Sequence, residues 1–586
     1  MRYGFVIDHN RCIGCHACTV ACKEEHNVPV GVFRTWVKYI EKGKFPNTSR
    51  HFGVMRCNHC DDAPCVEICP TRALFRRNDG IVDFDNSRCI GCKSCMQACP
   101  YDALYLDPNT HTAAKCNFCA HRIEMNLEPA CVIVCPTRAI IAGDIDDPES
   151  DIGQIIATGK VAARKPQKGT RPKLFYTGIE GDFLQPSMLE AQSSYSFADR
   201  DPRNPHPTLS REKAGEGQKS RPTLRHGPGL TSPAVVAANE QKAPSPHLSR
   251  KIAGEEPILA GEGPATQADG HLSSLRVTQS NPGAARVVYD VAHPQPWGLI
   301  PAFYLWTKSI AAGLLIVAAL LLGFASPSIA GSRMLLRVAA PAAALIFTAI
   351  TTLLLIADLH RPERFYYILL KPNPRSWLVI GTWILILYSI IAAVWLAFGI
   401  ISAQHMLLAI IVPGAVLGAC SAGYSAFLFA QAKGRDLWQS PLFLWHLIVQ
   451  AIIGGAAILI VLIVLNGYPH IAYTQDGGFA LMRATNLLLI GGIVLSLLMI
   501  IGELLLTPFS TDAHYAADFI LRGRLRNIFW FGVVAIGSIA PSGILIYLLT
   551  SHASMPLEVI AAVLGLAGLL IFEKVWIEAG QAPPLS

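Results

Sequence analysis

Sixteen of the chain's seventeen cysteines lie within its first 135 residues, in four groups of four. They are Cys12, Cys15, Cys18 and Cys22; Cys57, Cys60, Cys65 and Cys69; Cys89, Cys92, Cys95 and Cys99; and Cys116, Cys119, Cys131 and Cys135. A secreted disulfide scaffold would be small and would carry an export signal. The opening "MRYGFVIDHNRC" has neither an apolar export segment nor a twin-arginine signal. The thiols are therefore expected in a reducing compartment, where thiolates bind metal more readily than they pair.

The spacing narrows the metal. Groups one ("CIGCHACTVAC") and three ("CIGCKSCMQAC") follow the C-x2-C-x2-C-x3-C run of bacterial ferredoxins. Three close cysteines wrap three corners of an iron–sulfur cube, and the fourth reaches a neighbouring cluster. Pro70, Pro100 and Pro136 follow the last cysteine of groups two, three and four; group one has Lys23 there instead. Paired C-x2-C motifs also make zinc ribbons, but tetrahedral zinc has no use for a third cysteine at the same spacing. Sixteen thiolates supply four 4Fe–4S clusters.

These motifs resemble the four-cluster electron-transfer subunits of molybdopterin oxidoreductases, of the dimethyl sulfoxide and polysulfide reductase type. The resemblance covers about residues 1–185 and implies that group one pairs with four and group two with three. The ligand sets it implies, numbered I to IV, are Cys12, Cys15, Cys18 and Cys135; Cys22, Cys116, Cys119 and Cys131; Cys57, Cys60, Cys65 and Cys99; and Cys69, Cys89, Cys92 and Cys95. Nitrate reductase relatives carry tryptophan where this chain has Cys92, and hold a three-iron cluster there. Short β-rich runs such as "YGFVID" and "GIVDFD" predict an α+β, ferredoxin-like domain around the clusters.

Residues 186–290 shift in composition. Proline, glycine, serine and mixed charge dominate, and aromatics almost vanish. Such a segment buries too little apolar surface to offset its ordering entropy, so a disordered linker is expected. The similar "TLSREKAGE" and "HLSRKIAGE" within it read as a degenerate low-complexity repeat.

The rest, 291–586, yields eight apolar runs long enough to cross a bilayer, near 299–325, 334–357, 377–400, 406–430, 441–465, 484–506, 527–550 and 557–577. An all-α bundle of eight transmembrane helices is expected. "PWGLIPAFYLW", "DLHRPERFYYILLKPNPRSW", "RDLWQSPLFLWHL" and "EKVWIEAGQAPPLS" resemble the polysulfide reductase membrane-anchor family. That resemblance implies exchange of electrons and protons with a quinone, menaquinone or ubiquinone, and implies no haem.

An even number of spans puts both ends of this half on one side. Loops on that side hold Arg361, Arg364, Lys371, Arg375, Lys433, Arg435, Arg522, Arg524 and Arg526; the opposite loops hold Arg333, Arg337 and Arg483. The positive-inside rule predicts a multi-pass protein of the inner, cytoplasmic membrane with its cysteine block in the cytoplasm. Ionisable residues in or beside the spans read as functional, because burying them in hydrocarbon is costly. They are Lys308, Asp358, His360, His446, Glu503, Glu573 and Lys574, and all fall in the half nearer the cysteine block. Asp358, Glu503, Lys308, Tyr424 and His360 are the candidate quinone and proton residues. The far halves are expected to hold essentially no buried carboxylate, so quinone protons would be exchanged on the cluster side. The lone Cys420 reads as packing.

A net charge of +7 is mild for 586 residues and gives no reason to expect nucleic acid. The reading is the electron-transfer and anchor subunit of a molybdopterin oxidoreductase, with membrane lipid around it, the quinone pool at one end and a catalytic subunit at the other. Two alternatives stand beside it. One is a subunit of a quinol-oxidising respiratory complex with a cytochrome partner. The other, from a different class, is a zinc-binding polytopic transporter or scaffold.

Overall fold

The structure, a computed structural model, describes residues 1–44, 46–178, 186, 189–191, 285–324, 334–465, 476–506, 510–550 and 554–586. The iron–sulfur half is an α+β domain whose core mixes its own cysteines with apolar side chains. Its central sheet runs in the order Ile140–Asp144, Tyr3–Asp8, Leu174–Thr177, Ala162–Ala163. Tyr3–Asp8 is parallel to Leu174–Thr177 and antiparallel to Ile140–Asp144. The alternation in "YGFVID" does not survive: Gly4, Phe5, Val6 and Ile7 are all buried, because both faces of this strand are covered. Phe5, Ile7, Val37, Val54 and Leu174 pack with Cys18 and Cys131. Each such apolar side chain contributes roughly 1.5–3 kcal/mol by burial.

Groups two and three are built alike. The short helices Pro64–Ile68 and Ser94–Ala98 each end at a cysteine and lead into a two-stranded hairpin. Leu74–Arg76 pairs with Val82–Phe84, and Leu104–Leu106 with Ala113–Lys115. Each hairpin returns the chain to the next cysteine group. The glycines of the two "CIGC" motifs are needed for a local reason. Gly14 and Gly91 both have φ +69, a left-handed conformation in which a side chain is strained. A Cβ on Gly91 would also lie 2.7 Å from the Cβ of His360.

A second sheet needs a correction to the linker expected over 186–290. Its order is Glu190–Ala191, Arg286–Tyr289, Thr35–Lys44, Asn47–Arg56. Arg286–Tyr289 lies antiparallel to Thr35–Lys44, so the end of that stretch returns to the iron–sulfur domain. The reason is chemical: Tyr289 packs on Tyr39 and His16, Lys38 pairs with Asp290 at 3.1 Å, and Arg286 reaches Glu41. Residues 192–284, including the two repeats, lie outside the described residues.

Among the described residues, eight helices are long and apolar enough to cross a membrane: Ile300–Gly323, Leu335–Ala357, Trp377–Ile400, His405–Ala430, Phe443–Leu465, Ala480–Leu505, Ile528–Thr550 and Met555–Gly580. The protein is a multi-pass membrane protein. Helices meet closely where side chains vanish. Gly313 of the first span lies against Gly455 of the fifth, and Gly537 of the seventh against Gly568 of the eighth. Lipid supplies no hydrophobic drive between helices, so backbone approach at small residues does the packing. Among the described residues three stretches of the spans depart from α geometry: Leu335–Ala339, Gly502–Leu506 and Ile528–Ile539 are π-helical.

Candidate functional site

The cysteines are held on loops and short helices that turn their thiols inward. Eleven of the sixteen are buried; Cys12, Cys89, Cys92 and Cys135 are half-buried, and Cys15 is exposed. The thiols that act on one another's charge fall into groups. Cys12 is acted on by Cys135 and Cys15, and Cys18 by Cys12. Cys22 is acted on by Cys116, Cys131 and Cys119. Cys65 is acted on by Cys99, Cys57 and Cys60. Cys95 is acted on by Cys92, Cys89 and Cys69. Group one is thus brought next to group four, and group two next to group three. Couplings also run between sets: Cys18 to Cys131, Cys57 to Cys116, and Cys95 to Cys65. The order is therefore I–II–III–IV.

The donors fit clusters. Burial pushes the thiols up, Cys18 to about 11 and Cys92, Cys99 and Cys119 to about 12. Bare thiolates are disfavoured there, and bound iron replaces their protons. Cys69, Cys89, Cys92 and Cys95 line one pocket with Pro70, Leu74 and Ile90. Among the described residues no three His, Cys, Asp or Glu side chains converge on a single metal ion. The thiols of a cube approach four separate irons, so their sulfurs stand around a volume rather than a point.

Set IV faces the membrane half, and loops between spans close over it. Asn373 donates its side-chain amide to the carbonyls of Cys69 (2.8 Å), Glu67 (3.1 Å) and Val66 (3.3 Å). Ser376 donates to the carbonyl of Ile68 at 2.7 Å. Arg364 reaches the carbonyl of Cys89, and Trp297 that of Cys92. The buried Arg435 donates to Gln97, which lies between Cys95 and Cys99, and to the carbonyls of Gln581 and Pro583. The C-terminal tail is thus wedged between the two halves, where Gln97 also donates to Gln581.

Beneath set IV lies a buried polar cluster. Lys308, fully buried in the first span, donates to Ser425 and to the carbonyl of Ala422, and sits 4.6 Å from the centre of the Tyr424 ring. Tyr304 lies within electrostatic reach of Tyr424, Asp358 and Glu573, and Lys308 of Glu573. Both carboxylate oxygens of Glu573 are buried without a hydrogen-bond partner. Gly381 in the third span leaves the space that the Tyr424 ring fills. Asp358 turns toward the cysteine block and pairs with Lys93, the neighbour of Cys92, at 3.2 Å. Burial raises its carboxyl above the usual range, against the pull of Lys93.

The five candidate residues do not form one cluster. Lys308, Tyr424 and Asp358 gather around Tyr304. His360 sits against Gly91 and stacks on His111, with a ring-centre distance of 6.4 Å. Glu503 belongs to another group: the π turn at Gly502–Leu506 directs it to His446 Nδ1 at 3.2 Å and Ser440 at 3.0 Å. The other His446 nitrogen meets Ser496 at 3.0 Å. The far halves also need correction. Glu558, in the first turn of the eighth span and at the end away from the cysteine block, is 2% exposed. Glu558 falls inside the expected span 557–577; its helix face, which the sequence does not reveal, turns it inward toward Asn486.

Comparison with known proteins fits this geometry. The family described as "Polysulphide reductase, NrfD" matches residues 288–584, just over half of the sequence. The protein belongs to the NrfD polysulphide reductase family. Two matches to the "4Fe-4S dicluster domain" cover residues 49–145 and 11–74 of the same polypeptide. The iron–sulfur half is 46% identical over 195 residues to a tetrathionate reductase subunit of Salmonella typhimurium, covering 33% of this chain and 78% of that protein. It is 44% identical over 177 residues to a polysulfide reductase chain of Wolinella succinogenes, covering 30% and 93%. It is 36% identical over 226 residues to the arsenate respiratory reductase iron–sulfur subunit ArrB of a Shewanella, covering 30% and 96%. This NrfD protein therefore joins an iron–sulfur electron-transfer domain and a membrane anchor in one polypeptide.

Tyr304, within the quoted "PWGLIPAFYLW" and at the same depth as Tyr424, is not among the five candidate residues, yet the polar cluster gathers around it. A tyrosine in "AFYLWTK", one turn before Lys308 on the same helix face, is the signal that points to it.

Proposed function

We propose that this protein is the electron-transfer and membrane-anchor subunit of a molybdopterin oxidoreductase complex. It passes electrons between a catalytic subunit and the quinone pool through four 4Fe–4S clusters. The observation that carries this reading is the ordered line of thiol sets, I to IV, ending under loops of the membrane half. The clusters supply one-electron storage at each step of that line.

The chain's own residues do the rest. At set I, Cys15 is exposed, and so are Ile13, Val20, Ile133 and Val134, neighbours in sequence of set I ligands, which suits docking of a catalytic subunit. At set IV, Lys308, Tyr304 and Tyr424 offer hydrogen-bond donors to quinone carbonyls. Asp358 and Glu573 are placed to carry protons, with Asp358 nearest the loop side. The relatives act, by name, in tetrathionate, polysulfide and arsenate reduction. A substrate of that oxyanion or sulfur class belongs to the partner subunit. The excess of basic residues on the loops nearest the clusters supports a cytoplasmic location for them in an inner membrane.

The test is the purified protein in detergent. Iron and acid-labile sulfide should be present at four clusters per chain, and a quinol should reduce them. A colourless, zinc-containing protein would sink this reading. Clusters that a quinol does not reduce would leave the wire and remove the terminal.

A further inference from the structure

We propose that Arg56 and Lys115 are counter-charges set into the gaps between clusters I, II and III, and that together they raise the reduction potential of cluster II. The inference rests on the four-cluster reading. Arg56 ends the strand Asn47–Arg56, one residue before Cys57, and is 1% exposed. It donates Nη1 to Sγ of Cys131 at 3.0 Å, while Nε and Nη2 have no hydrogen-bond partner. Its guanidinium lies over the ring of Phe5 at 4.6 Å. The thiols acting on it are Cys131 and Cys116, of set II, and Cys18, of set I.

Lys115 is fully buried and donates to the backbone carbonyls of Val82 and Cys116. It acts on Cys57 and Cys65, of set III. Among the described residues neither cation forms an ion pair with a carboxylate. Lys93, beside set IV, is different, because Asp358 neutralises it.

A lone buried cation is costly unless an opposite charge compensates it. A cube held by four thiolates carries net negative charge, and that charge grows when an electron enters. The cations therefore stabilise the reduced form more than the oxidised form, and the low dielectric between the clusters strengthens this. Set II touches both cations, Arg56 through the Cys131 sulfur and Lys115 through the Cys116 carbonyl. They also screen it from the negative charge of clusters I and III, so that adjacent clusters are more easily reduced together.

Arg56→Gln and Lys115→Gln remove the charge and keep an amide; Arg56→Lys and Lys115→Arg keep the charge. The probe is a redox titration of the purified full-length protein followed by electron paramagnetic resonance. Each glutamine variant should lower at least one midpoint by tenfold or more in the equilibrium, about 59 mV for one electron. One cluster signal should move in both variants, because the two cations share set II. The charge-keeping variants should move it less. Unchanged midpoints with all clusters assembled, no signal common to both variants, or equal shifts in the charge-keeping pair would overturn the proposal. If a glutamine variant loses iron, the unmodified protein still decides. With isotopically labelled arginine nitrogen, one reduced cluster should show a nitrogen hyperfine coupling from a guanidinium at its sulfur, and its absence refutes the Arg56 contact. A protein without iron and sulfide would instead sink the four-cluster reading itself.

Discussion

Asn373, in the loop between the second and third spans, donates its side-chain amide to the backbone carbonyl of Cys69 at 2.8 Å. One hydrogen bond thus joins the membrane half to a ligand of set IV. The same amide serves Glu67 and Val66, and the backbone N–H of Asn373 donates to Pro70 at 2.9 Å. The carbonyls left without intrahelical partners at the end of the short helix Pro64–Ile68 find their donors in the membrane half.

Asn373→Ala should leave these buried carbonyls short of donors, at a cost on the order of 2 kcal/mol. Iron and sulfide content should hold, since no thiol is touched. The rate at which a quinol reduces the clusters should fall about tenfold, because small displacements of donor and acceptor are costly. Stopped-flow absorbance checks this. An unchanged rate would mean that the loop does not position set IV.

Cys92→Trp removes one thiolate from set IV and leaves Cys69, Cys89 and Cys95. The iron at that corner becomes labile, and the cube should convert toward a three-iron form. Electron paramagnetic resonance of the oxidised protein should show a new three-iron signal with the other clusters intact. A normal set of four cubes would show that Cys92 is not a ligand.

The cysteine groups were legible in the sequence because ligand spacing is a local property. The eight spans were legible for the same reason, since apolar length sets them. The contacts that join the two halves were not. Asn373, Ser376, Arg435 and Gln97 all lie in stretches that carry the family resemblances, but their partners become visible only when separate segments dock. Arg56 stands beside Cys57 in the sequence, and only the fold brings it to the Cys131 sulfur. Glu503 looked like part of the Lys308 cluster because depth along a span can be estimated from sequence, while the direction a side chain faces cannot. The π turn at Gly502–Leu506 changes that direction and sends Glu503 to His446.

Lys308→Met and Tyr424→Phe test the polar cluster under set IV. Lys308 loses its bonds to Ser425 and Ala422, and Tyr424 its hydroxyl. Each change should slow quinone turnover by about 100-fold or more, the usual range for losing a positioned proton-transfer group being about 10²- to 10⁴-fold. The cluster spectra should not change. Gly381→Ala should have a similar effect without removing any polar atom, because its new methyl collides with the Tyr424 ring. Normal turnover in Gly381→Ala would mean that the position of Tyr424 is not used.

The strand that returns to the iron–sulfur domain should be held in a pH-dependent way. His293 follows it, with Nδ1 2.5 Å from Asp102 and Nε2 3.3 Å from Asp290. Burial lowers the affinity of the imidazole for a proton, but the two carboxylates outweigh it and raise the pKa to about 9. The Asp290 carboxyl is pushed up by burial, yet His293 and Lys38 bring it down to about 2. A histidine whose folded pKa is raised stabilises the fold fully below its ordinary pKa of about 6.5. That contribution, on the order of 2 kcal/mol for a side chain 28% exposed, declines above that pH and is lost as pH rises through about 9. Hydrogen exchange of the backbone amides at Arg286–Tyr289 should therefore show more opening at pH 9.5 than at pH 6, once intrinsic exchange is corrected for. His293→Gln should open the strand at pH 6 and flatten the dependence. Equal protection at both pH values in the unmodified protein would show that the His293 charge does not hold this strand.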